Sequence, residues 1–385
     1  MGNRVAVIGV GQTKHKSKHK EVSIAGLVRQ AAERALADAG CSWNDIDALI
    51  LGKAPDMFEG VLMPELYLTD ALGGNGKPVL RVHTAGSVGG STAIVAASHV
   101  QSGAFRRVLT VSFEKQSESN ATWALSPRMP FVPHVNAGAG GFFAPYMRQY
   151  IARYDVPGHI GCMVAVKDRL NACKNPYAHL HLPDITVEMV QQSPMLWDPL
   201  HFLESCPSSD GACALVIADE QHAARSPNKP AWILGTSTRA DGTMIAGKDH
   251  MHPASLIACA KDVYAKAGIS NPRKQIDVAE LYVPFSWYEP MYLETLGICD
   301  KGEGWKLTES GATSLSGDIP INASGGVLSS NPIGASGMLR FGEAALQVRG
   351  MAGEHQVDGA RLAIGHAFGG AHSYYAMWAV SSDKP

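Results

Sequence analysis

Short apolar runs alternate along the chain with longer stretches that have helical periodicity. The runs at 4–10, 47–52, 107–112, 231–236 and 360–365 are rich in Val, Ile, Leu and Ala and are bounded by turn residues. Continuous apolar runs of this length are typical of strands that are covered on both faces. The pattern therefore predicts an α/β protein with a buried sheet.

The order of these elements repeats once within the chain. Residues 24–53 contain an alanine-rich helical pattern that stops at Gly40 and leads through a short loop into an apolar strand. Residues 255–286 follow the same plan, with a helical pattern that stops at Gly268. Strand, glycine-rich turn and helix come next in both halves. Two similar halves predict a duplicated αβαβα five-layered sandwich with pseudo-twofold symmetry.

One segment interrupts the first half. It begins near residue 115, contains loops rich in Pro, His and Trp, and ends where the apolar pattern resumes in "SSDGACALVIA". We therefore expect residues 1–114 and 207–228 to form the N-terminal half, residues 115–206 an inserted cap or loop region, and residues 229–385 the C-terminal half. The aromatic and methionine residues of the cap suit either an apolar acyl or sterol group or a hydrophobic domain interface.

Composition narrows the class of protein. Apolar residues make up 45% and charged residues 18% of the 385 residues, and the formal net charge is −2. These values are typical of a globular protein with a large core, and they give no reason to expect nucleic acid as a partner. No apolar run approaches the ~20 residues of a membrane helix, and the basic cluster at 14–20 follows an apolar strand, so we expect a cytoplasmic protein. The seven cysteines include no CxxC pair, which indicates free thiols without a disulfide framework or a zinc site.

Five motifs carry a resemblance to a known family: "HTAGSVGGSTA", "CPSSDGACAL", "AELYVPF", "SGGVLSSNPIGASG" and "GHAFGG". Over nearly its whole length the chain resembles the thiolase superfamily, specifically the sterol-carrier-protein-x-type, or lipid-transfer-type, thiolases. It is most similar to actinobacterial paralogues that accompany steroid degradation and lack the catalytic cysteine. The resemblance implies the thiolase fold, an acyl-CoA thioester as substrate, a homodimer and a small OB-fold partner protein.

The resemblance also assigns residues. Ser87, at the start of a helix, stands where a working thiolase has its acyl-carrying cysteine. Asn331 stands for the histidine of the GHP motif, Tyr282 for the histidine of the HDCF loop and Pro284 for the cysteine of that loop. His366 lies in the C-terminal loop, which the resemblance brings close to the reacting carbons. Both reactive cysteine positions are therefore empty, which argues against thiolysis.

The remaining groups can still stabilise negative charge. Serine is a poor nucleophile without a general base, and His83, on the preceding strand, is the one local candidate. Ser87 is accordingly either a helix N-cap or a nucleophile. The backbone N–H groups of Ser87 and of Gly369 or Gly370 can bind a thioester enolate, and one such donor is worth about 3 kcal/mol.

These features favour retro-aldol cleavage of a 3-hydroxyacyl-CoA, with a steroid side chain as the favoured acyl group. Tyr282 and His366 would transfer the protons, unless they are a core tyrosine and a structural histidine. Asn331 is either a turn residue or a donor to the thioester oxygen, while Cys206 is expected to be structural and His372 a surface group. We expect no metal and no cofactor apart from the coenzyme A of the substrate. The alternatives are an acyltransferase or thiolase with an unexpected nucleophile, and a non-catalytic lipid-transfer or scaffold subunit.

Overall fold

A computed structural model describes residues 3–54, 61, 63–118, 138–242 and 247–385. The strands are β1 (Val5–Gln12), β2 (Ala48–Lys53), β3 (Val79–Val82), β4 (Arg107–Lys115), β5 (Met195–Trp197), β6 (Leu200–His201), β7 (Asp210–Asp219), β8 (Ala231–Ala240), β9 (Val278–Glu280), β10 (Leu362–Gly369) and β11 (Tyr374–Ser381). The helices are α1 (Ile24–Ala39), α2 (Glu65–Ala71), α3 (Val88–Gln101), α4 (Gly138–Tyr154), α5 (Ile160–Ala172), α6 (Val187–Gln192), α7 (Glu220–Ala223), α8 (Ala254–Ala267), α9 (Pro272–Gln275), α10 (Tyr288–Thr295), α11 (Gly304–Glu309), α12 (Gly326–Ser329) and α13 (Ile333–Arg349). Single turns of 3₁₀ helix lie at Trp43–Asp45, Gln116–Glu118, Phe202–Glu204 and Gly353–His355.

Nine strands form one mixed sheet in the order β3-β2-β4-β7-β1-β8-β11-β10-β9, and β5 pairs with β6 in a separate hairpin. The two halves of the sheet have the same plan: β2–β4 and β9–β10 are parallel pairs, and each is followed by two antiparallel pairs. β1 and β8 join the half-sheets through two residue pairs, Ala6–Trp232 and Val7–Ala231. The predicted duplication is confirmed, and all five predicted apolar runs are strands.

Two buried helices, α3 and α13, lie between the half-sheets and contact both of them. Glycines allow this close approach: a Cβ atom on Gly89 would lie 2.4 Å from the backbone nitrogen of Met338, and one on Gly337 would lie 2.6 Å from that of Gly90. α1 covers the outer face of the first half-sheet and α8 that of the second. The resulting order of helix, sheet, helix, sheet and helix is the predicted five-layered sandwich.

The outer helices end where the sequence predicts. Gly40 after α1 and Gly268 after α8 are both left-handed, with φ of 64° and 68°. Glycine adopts this conformation without the steric cost of a Cβ atom, so it terminates a helix cleanly. β2 and β9, the strands that follow these helices, occupy corresponding positions in the two half-sheets.

The described part of residues 115–206 is more helical than its loop-like composition suggests. It contains α4, α5 and α6 besides the β5–β6 hairpin. Phe143 of α4 packs edge-on against Tyr288 and Phe368 of the second half, with ring centroids 5.5 and 5.7 Å apart. α4 is thereby held against α10 and the end of β10. No helix among the described residues has the length and apolar character needed to cross a membrane.

Candidate active site

A cavity of about 200 Å³ lies between α4 and the starts of α3 and α13. Its wall is mainly apolar, and four phenylalanines form much of it: Phe142, Phe143, Phe285 and Phe368. The polar part of the wall comes from separate segments of the chain, namely Gly86, Cys206, Tyr282, Asn331, Gly369 and Gly370. Four predicted site residues therefore meet at one cavity: Tyr282, Asn331, Gly369 and Gly370. Ser87, His83 and His366 do not line it.

Main chain forms the part of the wall where β10 ends against the start of α3. A Cβ atom on Gly369 would lie 2.5 Å from the backbone nitrogens of Gly86 and Ser87, a distance that no side chain tolerates. A Cβ atom on Gly86 would lie 3.6 Å from the hydroxyl of Tyr282. Glycine at these positions thus exposes peptide groups to the cavity beside the tyrosine hydroxyl.

Ser87 occupies the N-cap position of α3, but its side chain makes no capping hydrogen bond. Its hydroxyl donates to the backbone oxygen of Thr84 at 2.7 Å, and its N–H points to the same oxygen at 3.3 Å. The hydroxyl is fully buried and turned towards the preceding strand. His83 is exposed and lies outside the cavity wall. The catalytic assignments of both residues stay predictions.

Several hydrogen bonds hold Asn331 at the cavity. Its Nδ2 donates to the sulfur of Cys206 at 3.1 Å, and its Oδ1 accepts a hydrogen bond of 2.8 Å from the hydroxyl of Ser336. Its backbone N–H donates to Ser209 Oγ at 3.1 Å. Against the larger effect of burial, Ser336 also acts to lower the pKa of the nearby Tyr282 hydroxyl. The amide of Asn331 therefore has a defined orientation, with the NH₂ group at the cavity.

The titratable groups of the polar wall are uncharged at neutral pH. Burial raises the pKa of Tyr282, and the neighbouring Cys206 raises it further. Burial raises the pKa of the Cys206 thiol to about 11, although the hydrogen bond from Asn331 opposes this. A neutral phenol and an amide NH₂ are hydrogen-bond donors, so this wall can stabilise a developing oxyanion.

His366 lies on β10, behind the cavity wall. It is fully buried, its Nδ1 accepts from the backbone N–H of Tyr282 at 3.4 Å, and its ring meets that of Tyr292 edge-on at 4.5 Å. Burial lowers the pKa of His366 to about 3, so the imidazole is neutral. Its role in proton transfer stays a prediction.

His372 is buried, and the prediction of a surface group is wrong. Gly370, Ala371 and His372 all have left-handed φ angles, of 60°, 54° and 62°. This turn directs the imidazole inward, where its ring centroid lies 4.6 Å from that of Phe368 and 4.9 Å from that of Phe143. The sequence did not indicate this position because alanine and histidine rarely adopt left-handed angles, so nothing in it shows that the turn continues past Gly370.

Sequence reasoning also missed Ser336 and the contact of Cys206 with the cavity. Ser336 lies in the first turn of α13, where a serine hydroxyl commonly bonds the carbonyl four residues back, and its hydroxyl is indeed 3.1 Å from Pro332 O. Because this helix contact is common for serine, nothing in the sequence indicated that Ser336 also donates a hydrogen bond to Asn331. For Cys206, the one indication in the sequence was its position at the start of the "CPSSDGACAL" motif.

One group outside the cavity has the chemistry of metal ligands. Cys162, His201 and Glu204 bring a thiol, an imidazole and a carboxylate within 4.8 Å of one another. A hydrogen bond of 2.7 Å already joins His201 Nδ1 to Glu204. The absence of a zinc site stays a prediction, whereas all seven cysteines are free thiols, as predicted.

The fold and the cavity can be compared with known proteins. Residues 237–381 match the family model "Thiolase C-terminal domain-like". The chain is 30% identical over 384 residues to the acetyl-CoA acetyltransferase of Methanothermobacter thermautotrophicus, covering 95% of this chain and 96% of that protein. The sterol carrier protein 2 of Homo sapiens is 28% identical over 389 residues, covering 95% of this chain and 70% of that protein.

Solved structures give the same fold. A structure described as an Ltp2-ChsH2(DUF35) aldolase superposes with a TM-score of 0.85 at 26% identity, covering 100% of this chain and 99% of that one. Human mitochondrial 3-ketoacyl-CoA thiolase superposes with a TM-score of 0.73 at 16% identity, covering 99% of both chains. The architecture is that of an α/β thiolase fold, as predicted. The chain belongs to the thiolase superfamily and is a thiolase-like enzyme of acyl-CoA chemistry.

Proposed function

We propose that the protein cleaves the Cα–Cβ bond of a 3-hydroxyacyl-CoA by a retro-aldol reaction. The composition of the cavity wall carries this proposal. The wall combines main chain at Gly86 and Gly369, the oriented amide of Asn331 and the neutral hydroxyl of Tyr282. These groups suit a developing enolate, whereas the hydroxyl of Ser87 is engaged with the main chain of Thr84.

The reaction follows from these donors. The thioester oxygen accepts from Asn331 Nδ2 and from main-chain N–H groups of the glycine wall. A base takes the proton of the β-hydroxyl group, the Cα–Cβ bond breaks, and its electrons form the enolate of the departing acyl-CoA. Each oriented donor that meets this charge lowers the barrier by about 3 kcal/mol. Protonation at Cα then gives a shorter acyl-CoA and a ketone or aldehyde, without an acyl-enzyme intermediate and with coenzyme A only as part of the substrate.

The apolar wall indicates the class of acyl group. The four phenylalanines of the cavity favour a large hydrocarbon group over a polar one. The similarity to sterol carrier protein 2 and to the Ltp2-ChsH2(DUF35) aldolase supports a steroid side chain as that group. Membership of the paralogues without a catalytic cysteine is part of the proposal and rests on Ser87, which stands where the thiolase motif has its cysteine.

We include two protein partners in the proposal. β3 is an edge strand that pairs with β2 on one side, and Leu80 on it is 40% exposed, which suits pairing with β3 of a second copy in a homodimer. The aldolase with the similar fold is described with two components, Ltp2 and ChsH2(DUF35). A small OB-fold partner for this chain is the corresponding proposal, and the chain alone would then turn over slowly.

Acyl transfer is the second candidate, and one observation favours it. Cys206 places a thiol in the cavity wall next to Asn331, and a related protein is an acetyl-CoA acetyltransferase. The pKa of that thiol, raised to about 11 by burial, opposes this candidate because the thiolate is the nucleophile.

The two candidates predict different products. Purified protein, with and without its co-purifying partner, is incubated with a 3-hydroxyacyl-CoA that has a branched apolar side chain, and products are identified by mass spectrometry. Retro-aldol cleavage gives a ketone or aldehyde and a shorter acyl-CoA without added coenzyme A. Product formation only from a 3-ketoacyl-CoA and free coenzyme A, with an acyl adduct on Cys206, would overturn the proposal. Cys206→Ser is the matched variant, because it removes the thiol needed for acyl transfer but keeps a hydrogen-bond acceptor for Asn331 Nδ2, so retro-aldol cleavage should persist.

A further inference from the structure

The described part of the cavity wall contains donors but no group that accepts a proton readily at neutral pH. Tyr282 and Cys206 are its titratable residues, and burial keeps both of them protonated. Retro-aldol cleavage nevertheless needs a base for the β-hydroxyl proton. Three buried imidazoles lie close to the wall among the described residues, those of His250, His366 and His372, and burial lowers the pKa of each.

His372 is held at the cavity by a strained segment of backbone. It follows Ala371, which lines the cavity, and three consecutive left-handed residues direct its ring inward. Left-handed conformations of residues other than glycine cost free energy and persist where the surrounding structure imposes them. Ala85, on the opposite side of the same cavity, is left-handed as well, with φ of 50°. Three of the five left-handed non-glycine residues in the described part of the chain, Ala85, Ala371 and His372, therefore lie at or next to the cavity wall.

The two ring nitrogens of His372 have different surroundings. Nε2 lies 3.2 Å from the hydroxyl of Tyr292, which fixes the orientation of the ring. Nδ1 is buried and has no hydrogen-bond partner among the described residues, and the same holds for the hydroxyl groups of Tyr288 and Tyr375. Both tyrosine rings are close, with centroids 5.1 and 5.9 Å from that of His372.

Such a group of buried polar atoms is suited to an ordered water molecule. Buried waters typically make about three hydrogen bonds to polar groups that have no protein partner. Nδ1 of His372 and the hydroxyl groups of Tyr288 and Tyr375 are three such groups, and both tyrosine rings are neighbours of the His372 ring.

Within the described part of the chain, His250 and His366 each have an unpartnered Nε2 as well. His372 differs from them because its ring packs against two side chains of the cavity wall, Phe143 and Phe368. It also directly follows Ala371 of that wall.

We propose that His372 accepts the β-hydroxyl proton of the substrate through a water bound between Nδ1 and the hydroxyls of Tyr288 and Tyr375. The O–H bond breaks and the proton moves through the water to Nδ1, while the Cα–Cβ bond electrons form the enolate. The imidazolium then returns the proton to Cα by the same route. No proton or electron is gained or lost overall. This inference rests on the proposed retro-aldol function, and Tyr292 acts in it as a positioning residue.

The test uses His372→Gly, because glycine suits the φ of 62° and leaves space for free imidazole. General-base catalysis is typically worth 10²–10⁴-fold, so we expect kcat to fall about 100-fold with KM within threefold, and imidazole in solution to restore at least tenfold. Tyr292→Phe keeps the ring and should lower kcat about fivefold, which corresponds to one lost hydrogen bond. A His372→Gly enzyme with kcat within threefold of the wild type, or with a loss that imidazole does not restore, overturns the inference.

A second assay separates this inference from the proposed function. Exchange of the Cα hydrogen of a saturated acyl-CoA in deuterium oxide requires a base and an enolate but no carbon–carbon cleavage. If the wild type exchanges and does not cleave, the retro-aldol function fails while a loss of exchange in His372→Gly supports the base. Equal exchange rates in the wild type and in His372→Gly reject the base whatever the cleavage assay shows. Circular dichroism and the melting temperature report whether each variant is folded.

Discussion

The two central helices begin at the same cavity but present different groups to it. At the start of α3, the hydroxyl of Ser87 bonds to Thr84, and the cavity meets main chain at Gly86. At the start of α13, Asn331 presents a side-chain amide that Ser336 holds in place. Of the two helix starts, that of the first half therefore supplies main chain and that of the second half an oriented side chain. Whether a polar side chain faces the cavity depends more on its hydrogen-bond partner than on its residue type.

Asn331→Ala tests the second helix start, and we expect the largest effect from it. Loss of one oxyanion donor should lower kcat for 3-hydroxyacyl-CoA cleavage about 10²–10³-fold, with KM changed less than about threefold. Steady-state kinetics measure both values. Asn271→Ala is the matched control, since Asn271 is exposed and caps α9 through its side chain. Equal kcat values for Asn331→Ala and the control would remove Asn331 from the mechanism.

Lowering the pH should reveal a second difference between the halves, in the free energy of unfolding. β10 carries the buried His366, whereas β4 has apolar or hydroxyl side chains at its centre. The pKa of His366 is lowered to about 3 by burial. Below its ordinary value of about 6.5 the unfolded chain binds a proton that the folded protein excludes, so the free energy of unfolding falls as the pH drops. From pH 7 to pH 5 this residue contributes a loss of about 2 kcal/mol.

Urea denaturation at the two pH values checks this contribution. The loss of unfolding free energy between pH 7 and pH 5 should be about 2 kcal/mol smaller in His366→Asn than in the wild type. Because each protein is compared with itself at the two pH values, the pH-independent effect of the substitution on the free energy of unfolding cancels. The same pH dependence in both proteins would mean that His366 is not buried in solution.

Ser336→Ala should have a moderate effect. The hydroxyl of Ser336 donates to Asn331 Oδ1, and its loss removes a hydrogen bond of about 1 kcal/mol that orients the amide, which lowers kcat about fivefold. Ser98→Ala in α3 is the control, because Ser98 makes the same type of bond to the carbonyl four residues back and lies away from the cavity wall. Identical kinetics for the two variants would show that Asn331 is oriented by other contacts.

Ser87→Ala should have the smallest effect on activity. Because the Ser87 hydroxyl bonds to Thr84, we expect kcat to change less than about twofold and the free energy of unfolding to fall about 1 kcal/mol. Activity and urea denaturation measure the two quantities. The opposite outcomes are an inactive Ser87→Ala variant, or an acyl group detected on Ser87 of the wild type by mass spectrometry. Either would show that Ser87 takes part in catalysis and would favour acyl transfer.

Much of the fold could be predicted because its signals are local. The apolar runs that became β1, β2, β4, β8 and β10 are each a few residues long, and the glycines that end α1 and α8 act within one turn. Propensity, periodicity and capping operate over such distances, and their repetition in two halves indicated the layered sandwich. The motifs also indicated the thiolase superfamily and brought Tyr282 and Asn331 forward as site residues.

The connections within the site could be found only in three dimensions. Asn331 and Cys206 are 125 residues apart in sequence yet in contact, and Tyr292 and His372 are 80 residues apart. Such contacts depend on how whole layers pack, which no local pattern encodes.

The amino-acid sequence by itself determined the elements, their duplication and the family, because these depend on interactions between near neighbours in the chain. Only the tertiary structure decided which polar groups face the cavity: it turned Ser87 away, oriented Asn331 and buried His372. Burial and hydrogen-bond partners set the chemistry of these groups, and both depend on residues distant in the chain.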